Sequence, residues 1–422
     1  MTTARAPWDR SIVALLVCVF CSAAAALVGV TALGAQIYDL THRELDLGLL
    51  GLAEFAPSAL LVLVTGSVAD RFDRARVSAA AAAAQALAAA GFALYTATEP
   101  TSAGPIFAIV LLFGAGRAFL APSNRALPAD IVPPAQLPSL QARRAAAWQT
   151  AIIVGPVIGG TLYAVEPVLP YAVMTLLLAI ASGSMLLVTT PARRRAAPAD
   201  TVEPALSPDA SAPSGGRLRE ALEGLRFIRR SPILLGAISL DLFAVLFGGA
   251  IALLPAIATD RLGAGSVGLG WLRAAGGIGA ATVTLFIARR PITRRAGPVL
   301  FAVVAIFGAG TIVLGATRTY AVAFAAMLVL TGADAVSVYI RSTLVPLVTP
   351  ADKRGRVLAV ESVFIGASNE LGAFESGVAG HFLGASGAVV LGGVATLGVA
   401  VTYWFAFPDL RRVDRFPQPA AR

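Results

Sequence analysis

Charged side chains are scarce in this sequence of 422 residues. Asp, Glu, Lys and Arg together make up 14% of the residues, 57% are hydrophobic, and the mean hydropathy is +0.77. Soluble domains carry about 25% charged and about 45–50% apolar residues. These values therefore exclude an ordinary soluble domain, and we expect most of the chain to lie in lipid.

Histidine and cysteine are almost absent as well. The two histidines, His42 and His381, and the two cysteines, Cys18 and Cys21, do not cluster with the ligand spacing of a metal site. The cysteines form a C-x-x-C pattern inside an apolar run, and we interpret them as small buried side chains. We expect neither a metal nor a cofactor.

Motifs for enzymatic chemistry are also lacking. The sequence has no Gly-x-x-x-x-Gly-Lys-Ser/Thr phosphate loop and no nucleophile with an evident base, so we expect neither ATP-driven chemistry nor an enzyme. The net charge is +9, but the basic residues lie in short clusters between apolar runs, as loop anchors do. Nucleic acid is therefore not an expected partner.

Long apolar runs are what the sequence has instead. A spanning helix needs about 20 apolar residues, and the runs predict an all-α membrane protein with twelve transmembrane helices. The fifth helix follows a proline-rich turn at 128–138 and ends near 165. The other eleven are expected at about 11–37, 47–69, 77–97, 105–127, 171–190, 232–259, 267–288, 297–317, 321–345, 357–383 and 387–407.

An internal repeat divides these helices into two pseudo-symmetric halves of six. Arg125 with Pro134 and Arg341 with Pro350 share an offset of 216 residues (341 − 125 and 350 − 134), and related halves are typical of transporters. The predicted domains are an N-terminal half at 1–190, a linker with an amphipathic helix at 191–230, a C-terminal half at 231–407 and a tail at 408–422.

The linker begins with a change of composition. Residues 191–216 are rich in Ala, Pro and Ser without hydrophobic period, which predicts a flexible segment. Residues 217–230 place apolar side chains at helical spacing among arginines. We expect this helix to lie on the inner membrane surface, with a partner-docking helix as the alternative.

Basic loops indicate which side faces the cytoplasm. Arginines stand between the second and third predicted helices, and further basic clusters lie at 289–295, 353–356 and 411–415. Because short basic loops stay cytoplasmic, both termini are expected in the cytoplasm of a multi-pass protein of the inner, cytoplasmic membrane. The apolar run that reaches 37 is too long for a cleaved signal, and a monomer is the default expectation.

The loop after the second predicted helix carries a family signature. It reads Gly66-Ser-Val-Ala-Asp70-Arg71-Phe-Asp73-Arg74 and resembles the loop motif of the major facilitator superfamily. Its Asp-Arg-Phe-Asp-Arg form, with Asp73 in place of a second glycine, is similar to the exporter branch of the enterobactin and macrolide efflux proteins. The resemblance implies that Gly66, Asp70, Arg71 and Arg74 form a conformational latch, although simple topology anchors remain an alternative.

A second motif lies in the fifth predicted helix. Gly155-Pro156-Val-Ile-Gly159-Gly160 removes a backbone donor at the proline and permits close helix approach at the glycines. It resembles the antiporter signature of the same superfamily, with Ala151 in place of the usual leading glycine. We expect a kinked and tightly packed helix.

Charged and polar side chains inside the predicted spans require a reason, since a charge at mid-membrane costs about 2.5–3.5 kcal/mol on insertion scales. The four carboxylates among them are candidates for a group that is protonated and deprotonated during transport; fixed ion pairs are the alternative. The two arginines are counter-charges or contacts for an anionic substrate. The candidate cavity residues are Glu54, Arg117, Asp241, Arg273, Asp334, Asn369 and Glu375.

The eleventh predicted helix is the most polar, because its side chains repeat at seven-residue steps that share a face. One row is Ser362, Asn369 and Ser376, and the adjoining row is Glu361, Ser368 and Glu375.

These features predict a secondary active transporter that exports a small amphipathic molecule, drug-like or siderophore-like, in exchange for protons. Its expected partners are that substrate, protons and the lipid bilayer. Two alternatives stay open: an importer or uniporter of a nutrient with the same fold, and a membrane sensor or scaffold that binds without transport.

Overall fold

The computed structural model describes residues 10–189 and 214–416, except for the side chains at 62–64, 66, 67, 69, 70 and 214–221. These residues are helical almost throughout and contain no β-strand. Most of the predicted flexible segment at 191–216 lies outside the described residues. The helices are α1 Arg10–Thr41, α2 Glu44–Arg71, α3 Arg74–Thr96, α4 Gly104–Ile131, α5 Leu137–Val165, α6 Leu169–Leu186, α7 Ser214–Arg230, α8 Pro232–Phe247, α9 Leu254–Ala256, α10 Gly265–Arg289, α11 Ala296–Ala316, α12 Tyr320–Val348, α13 Ala351–Ala406 and α14 Pro408–Arg411.

Ten helical segments of the described chain are long and apolar enough to cross a membrane. One of them, α13, runs for 56 residues and is interrupted at Gly384, where φ is 70° and ψ is 160°. Glycine adopts this left-handed backbone without the steric cost that other residues meet, so α13 supplies two spans. With the 28-residue α2 added, the twelve predicted helices are accounted for.

The chain divides into two compact units. Unit 1 comprises 10–41, 53–189 and 265–274, and unit 2 comprises 42–52, 214–264 and 275–416. Helix α2 is thus divided after residue 52, and α10 after residue 274. The sequence-based boundaries had assigned each helix wholly to one half.

In unit 1, α1 packs against α5 and α6, while α3 packs against α4 and α6. The core holds Leu15, Cys18, Cys21, Leu120 and Leu127. Both cysteines are buried thiols, which is how the sequence was interpreted. The many alanines of α3 have short side chains, and this allows the neighbouring helices to approach its backbone closely.

In unit 2, α11 packs against α12 and α13, and α8 packs against α13. A second hydrophobic cluster includes a side chain of α7. Ile228 of this helix is 1% exposed and packs with Leu234, Val345 and Val357. Here α7 runs directly into α8 and lies against the start of α13. Leu222, one to two turns earlier in α7, is 46% exposed, and the location of this helix on the inner membrane surface stays a prediction.

Two helix ends differ from the predictions. Helix α4 continues through Pro128 to Ile131, although a turn was expected from 128. Proline lacks a donor but its carbonyl still accepts from Val132 N at 3.1 Å, so the last helical turn survives. The predicted helix 232–259 instead breaks after Phe247.

The start of α11 is capped by the C-terminal tail. Arg295 precedes the helix with φ of 57° and has no side-chain cap of its own. Its backbone N donates to Asp414 Oδ1 at 3.1 Å. The next two amides, of Ala296 and Gly297, donate to the main-chain oxygens of Asp414 at 3.2 Å and Val413 at 2.8 Å. The tail thus satisfies donors that a helix start leaves without intrahelical partners.

Candidate functional site

A buried ion cluster lies inside unit 2, where three helices each contribute a charged side chain. Arg341 of α12 is 5% exposed. Its guanidinium lies 2.7 Å from Asp241 Oδ1 of α8 and 4.0 Å from Glu361 Oε1 of α13. Both carboxylates are themselves buried. Their ion pairs with Arg341 therefore take the place of the hydration that these charges would otherwise need.

Further polar groups of α12 complete the cluster. Ser337 Oγ lies 3.4 Å from Arg341 Nε. Asp334 precedes Arg341 by seven residues, which puts both on one face of the helix, and the two charges interact. Two carboxylates therefore lie within ion-pair distance of one arginine, and a third interacts with it electrostatically. In the described residues no group of three or more His, Cys, Asp or Glu side chains could hold a metal ion.

Sequence reasoning chose two members of this cluster and missed its centre. Asp241 and Asp334 were candidates; Arg341 was used to define the internal repeat but was not placed in the cavity, and Glu361 was assigned to a polar row of α13. The repeat offset that relates Arg341 to Arg125 was the signal that could have identified the centre.

The remaining α13 candidates lie apart from Arg341. Glu375 is half-buried and interacts with the Ser376 hydroxyl. Asn369 is exposed, and its Nδ2 donates to the backbone oxygen of Ile365 at 2.8 Å. Among the described side chains, neither is within ion-pair or hydrogen-bond distance of Arg341.

Unit 1 brings three other candidates together. Glu54 of α2 and Arg117 of α4 form an ion pair in which the carboxylate is 17% and the guanidinium 48% exposed. Arg273, in the part of α10 that belongs to unit 1, interacts electrostatically with Glu54. Its Nε is buried and has no hydrogen-bond partner in the described part of the chain.

Beside this pair, a cavity of about 460 Å³ opens between α1, α3, α4 and α5 of unit 1. We call it the arginine cavity, because Arg117, Arg125 and Arg144 line it together with Asn124 and Trp148. Arg144 Nε and Asn124 Oδ1 are buried without hydrogen-bond partners among the residues described. The remaining walls are mainly small and apolar, and no carboxylate is among the described lining residues.

The predicted latch is described in part. Gly66 has no side chain, the side chain of Asp70 lies outside the described residues, and Arg71 is exposed. Arg74 Nη1 donates to Asp130 Oδ2 at 2.9 Å, within unit 1. Asp73, which departs from the family pattern, caps α3 by accepting from Ala75 N at 2.9 Å and Arg76 N at 3.2 Å.

The glycines of the α5 motif lie where other helices approach. Gly155, Pro156, Gly159 and Gly160 are all buried. A Cβ at Gly159 would lie 2.7 Å from the Val28 oxygen of α1, and one at Gly160 would overlap the Ser266 oxygen of α10. Any larger side chain would therefore push these helices apart.

The comparisons with known proteins agree with one another on the fold. The sequence profile of the Major Facilitator Superfamily matches residues 14–373. A bacterial homolog of the human lysosomal transporter Spinster has a TM-score of 0.68 at 13% identity, covering 95% of both chains. The human organic anion transporter MFSD10 has a TM-score of 0.63 at 16% identity, covering 94% of this chain and 100% of its own.

A peptide transporter, POT, solved in complex with sulfate has a TM-score of 0.70 at 12% identity and covers 98% of this chain and 97% of its own. At these identities the likeness concerns the fold. No curated protein sequence matches significantly.

Proposed function

The chain belongs to the Major Facilitator Superfamily, so it is a multi-pass membrane transporter and not an enzyme, and on that premise we propose a specific activity. The protein exports small amphipathic anions, drug-like or siderophore-like, by alternating access in exchange for protons. Members of this superfamily carry small molecules through a lipid bilayer. We propose that this one works as a monomer in the cytoplasmic membrane, with both termini in the cytoplasm.

The observation that carries the proposal is the excess of acid over base in the buried cluster. Asp241 and Glu361 share the single guanidinium of Arg341, and Asp334 interacts with it electrostatically. Buried charges are costly unless they are paired, and a proton on one carboxylate reduces the excess negative charge. A proton that enters or leaves this cluster would therefore change how firmly α8, α12 and α13 are held together.

The arginine cavity supports the substrate class. Arg117 is paired with Glu54, and the guanidiniums of Arg125 and Arg144 favour a negatively charged group, because guanidinium pairs well with carboxylate or phosphate oxygens. The apolar walls and the Trp148 indole favour an attached hydrophobic body. One fold neighbour is named an organic anion transporter, and another was solved with sulfate, which agrees with this substrate class.

The proposed direction, export, depends on the likeness of the loop 66–74 and of the α5 motif to the exporter branch. In the latch that we propose, Gly66, Asp70, Arg71 and Arg74 hold the inner face closed in one state. The Arg74–Asp130 ion pair, with both side chains about one-third exposed, is weak enough to exchange for another partner, since exposed pairs contribute about 0–1 kcal/mol.

The test uses inverted membrane vesicles with an imposed proton gradient that a pH-sensitive dye reports. Amphipathic carboxylates and sulfonates are added alongside cationic and neutral compounds of similar size. We expect anions to dissipate the gradient with the wild-type protein and not with Asp241→Asn. The matched control is Asp409→Asn, which changes an exposed aspartate of α14 and should retain the response.

Separate outcomes identify what has failed. A response to cations and not to anions would contradict the substrate class. Downhill passage of an anion without proton movement would contradict exchange and favour a uniporter. Binding of an anion without its transport across the membrane would favour the alternative of a membrane sensor or scaffold.

A further inference from the structure

A second cavity, of about 300 Å³, lies in unit 2 between the last turns of α7 and the start of α13. We call it the α7 pocket. Four cations line it, Arg226, Arg230, Lys353 and Arg356, and Glu223 is the one carboxylate in its described lining. The pocket therefore has a formal charge of +3, and neither the ion cluster nor the arginine cavity includes any of its residues.

The pocket is formed by a packed interface. Ile228 anchors α7 in the core of unit 2. Gly224 is buried, and a Cβ there would lie 2.9 Å from the backbone oxygen of Arg356, so the two helices touch at the base of the pocket.

Two contacts fix the positions of the cations. Arg356 Nη1 lies 3.0 Å from Glu223 Oε2, and Lys353 Nζ lies 4.9 Å from the centre of the Phe227 ring. Arg226 and Arg230 are one helical turn apart on α7, where like charges repel each other. An anion between these groups would remove that repulsion.

The pattern of donors suits a phosphate group. Guanidinium and ammonium groups bind phosphate oxygens through charge-assisted hydrogen bonds. Basic pockets between helices on the cytoplasmic side of membrane proteins bind the head groups of anionic lipids. Two cations of the α7 pocket, Lys353 and Arg356, belong to the basic cluster at 353–356, which the sequence predicts to lie at the inner membrane surface.

We propose that the α7 pocket binds a phosphate group, carried either by an anionic phospholipid or by free phosphate. Occupancy ties α7, at the end of the linker, to α13. Because α13 also carries Glu361, a bound headgroup stabilises the same helix that contributes to the ion cluster. This site is independent of the transported substrate.

The test uses the full-length protein, purified in an uncharged detergent. Native mass spectrometry counts retained phosphatidylglycerol and phosphatidylcholine, and isothermal titration calorimetry measures the binding of inorganic phosphate. The pocket variant is Arg226→Gln with Arg230→Gln and Lys353→Gln, which leaves the Arg356–Glu223 pair in place. The control is Arg289→Gln with Arg290→Gln and Arg412→Gln, which removes equal charge from exposed positions elsewhere in unit 2.

We expect wild type to retain phosphatidylglycerol over phosphatidylcholine by about tenfold, the pocket variant to lose most of that preference, and the control to keep it within about twofold. The substitution Glu223→Gln removes the carboxylate from the pocket and should raise retention by about twofold. A gain of this kind would not follow from damage to the fold.

The two sources give different results. Selective lipid retention without phosphate binding identifies a phospholipid headgroup. Phosphate binding that the pocket variant abolishes and the control retains identifies free phosphate as the source. Equal losses in the pocket variant and the control, or no loss in either, would overturn the proposal.

Discussion

Arg125 of unit 1 and Arg341 of unit 2 stand at the same place in the internal repeat, 216 residues apart (341 − 125), on α4 and α12. Arg341 is buried and held by carboxylates of two other helices. Arg125 is exposed and lines the arginine cavity. The same position is thus neutralised in one unit and left as an open cationic surface in the other.

The sequence explains part of this difference. The same offset places Ala145 opposite Glu361, so unit 1 lacks one of the two acids that neutralise the arginine of unit 2. At this position the two halves of the repeat differ by an acid in one and an alanine in the other.

The largest expected effect comes from removing the arginine itself. Arg341→Met leaves buried carboxylates without their counter-charge, which costs about 3–5 kcal/mol when a buried pair is broken. Arg125→Met should cost less than about 1 kcal/mol, as is usual for exposed positions. Unfolding in mixed micelles by SDS titration measures both. Equal losses would break the comparison between the two units.

A smaller effect should follow from adding the missing acid. Ala145→Glu places a carboxylate next to Arg144 at the exposed position opposite Glu361. We expect binding of an amphipathic carboxylate to weaken about tenfold, which is about 1.4 kcal/mol. Tryptophan fluorescence titration measures the affinity. Ala145→Gln has the same size without the charge and should bind nearly as wild type; an equal loss would point to steric blockage instead.

The smallest effects concern how each unit caps a helix. Asp73 caps α3 with its own side chain, so Asp73→Ala should cost about 1 kcal/mol, while Asp73→Asn keeps an acceptor and should cost a few tenths. In unit 2 the main-chain oxygens of the tail also cap α11, so Asp414→Ala should cost about half as much as Asp73→Ala. The same SDS titration ranks the three variants.

The number of helices followed from the sequence because apolar length depends on bilayer thickness and not on packing. The interruption near Gly384 was expected from the gap between two apolar runs. The helical continuation through Pro128 was missed, since proline signals a turn locally but is tolerated where its neighbours keep their hydrogen bonds.

The ion cluster was harder to predict, because periodicity gives the face of one helix and not the helix that it meets. Glu361 and Ser368 are buried while Ser362 and Asn369 are exposed, but further along the helix Ser376 is buried and Glu375 is only half-buried. The two polar rows of α13 therefore separate by face only over their first two members. That Asp241 and Glu361 both approach Arg341 depends on three helices distant in sequence. Their relative rotation is set by side-chain packing, which no local pattern encodes.

The cap on α11 also has a consequence for biosynthesis. The bond between Arg295 N and Asp414 joins residues 119 apart, so the start of α11 cannot be capped until the chain has left the ribosome through residue 414. Domains generally fold as units, N-terminal first, during synthesis. Unit 2 should therefore complete its fold only after the tail has emerged, and a chain released before residue 413 would lack the capping groups of the tail.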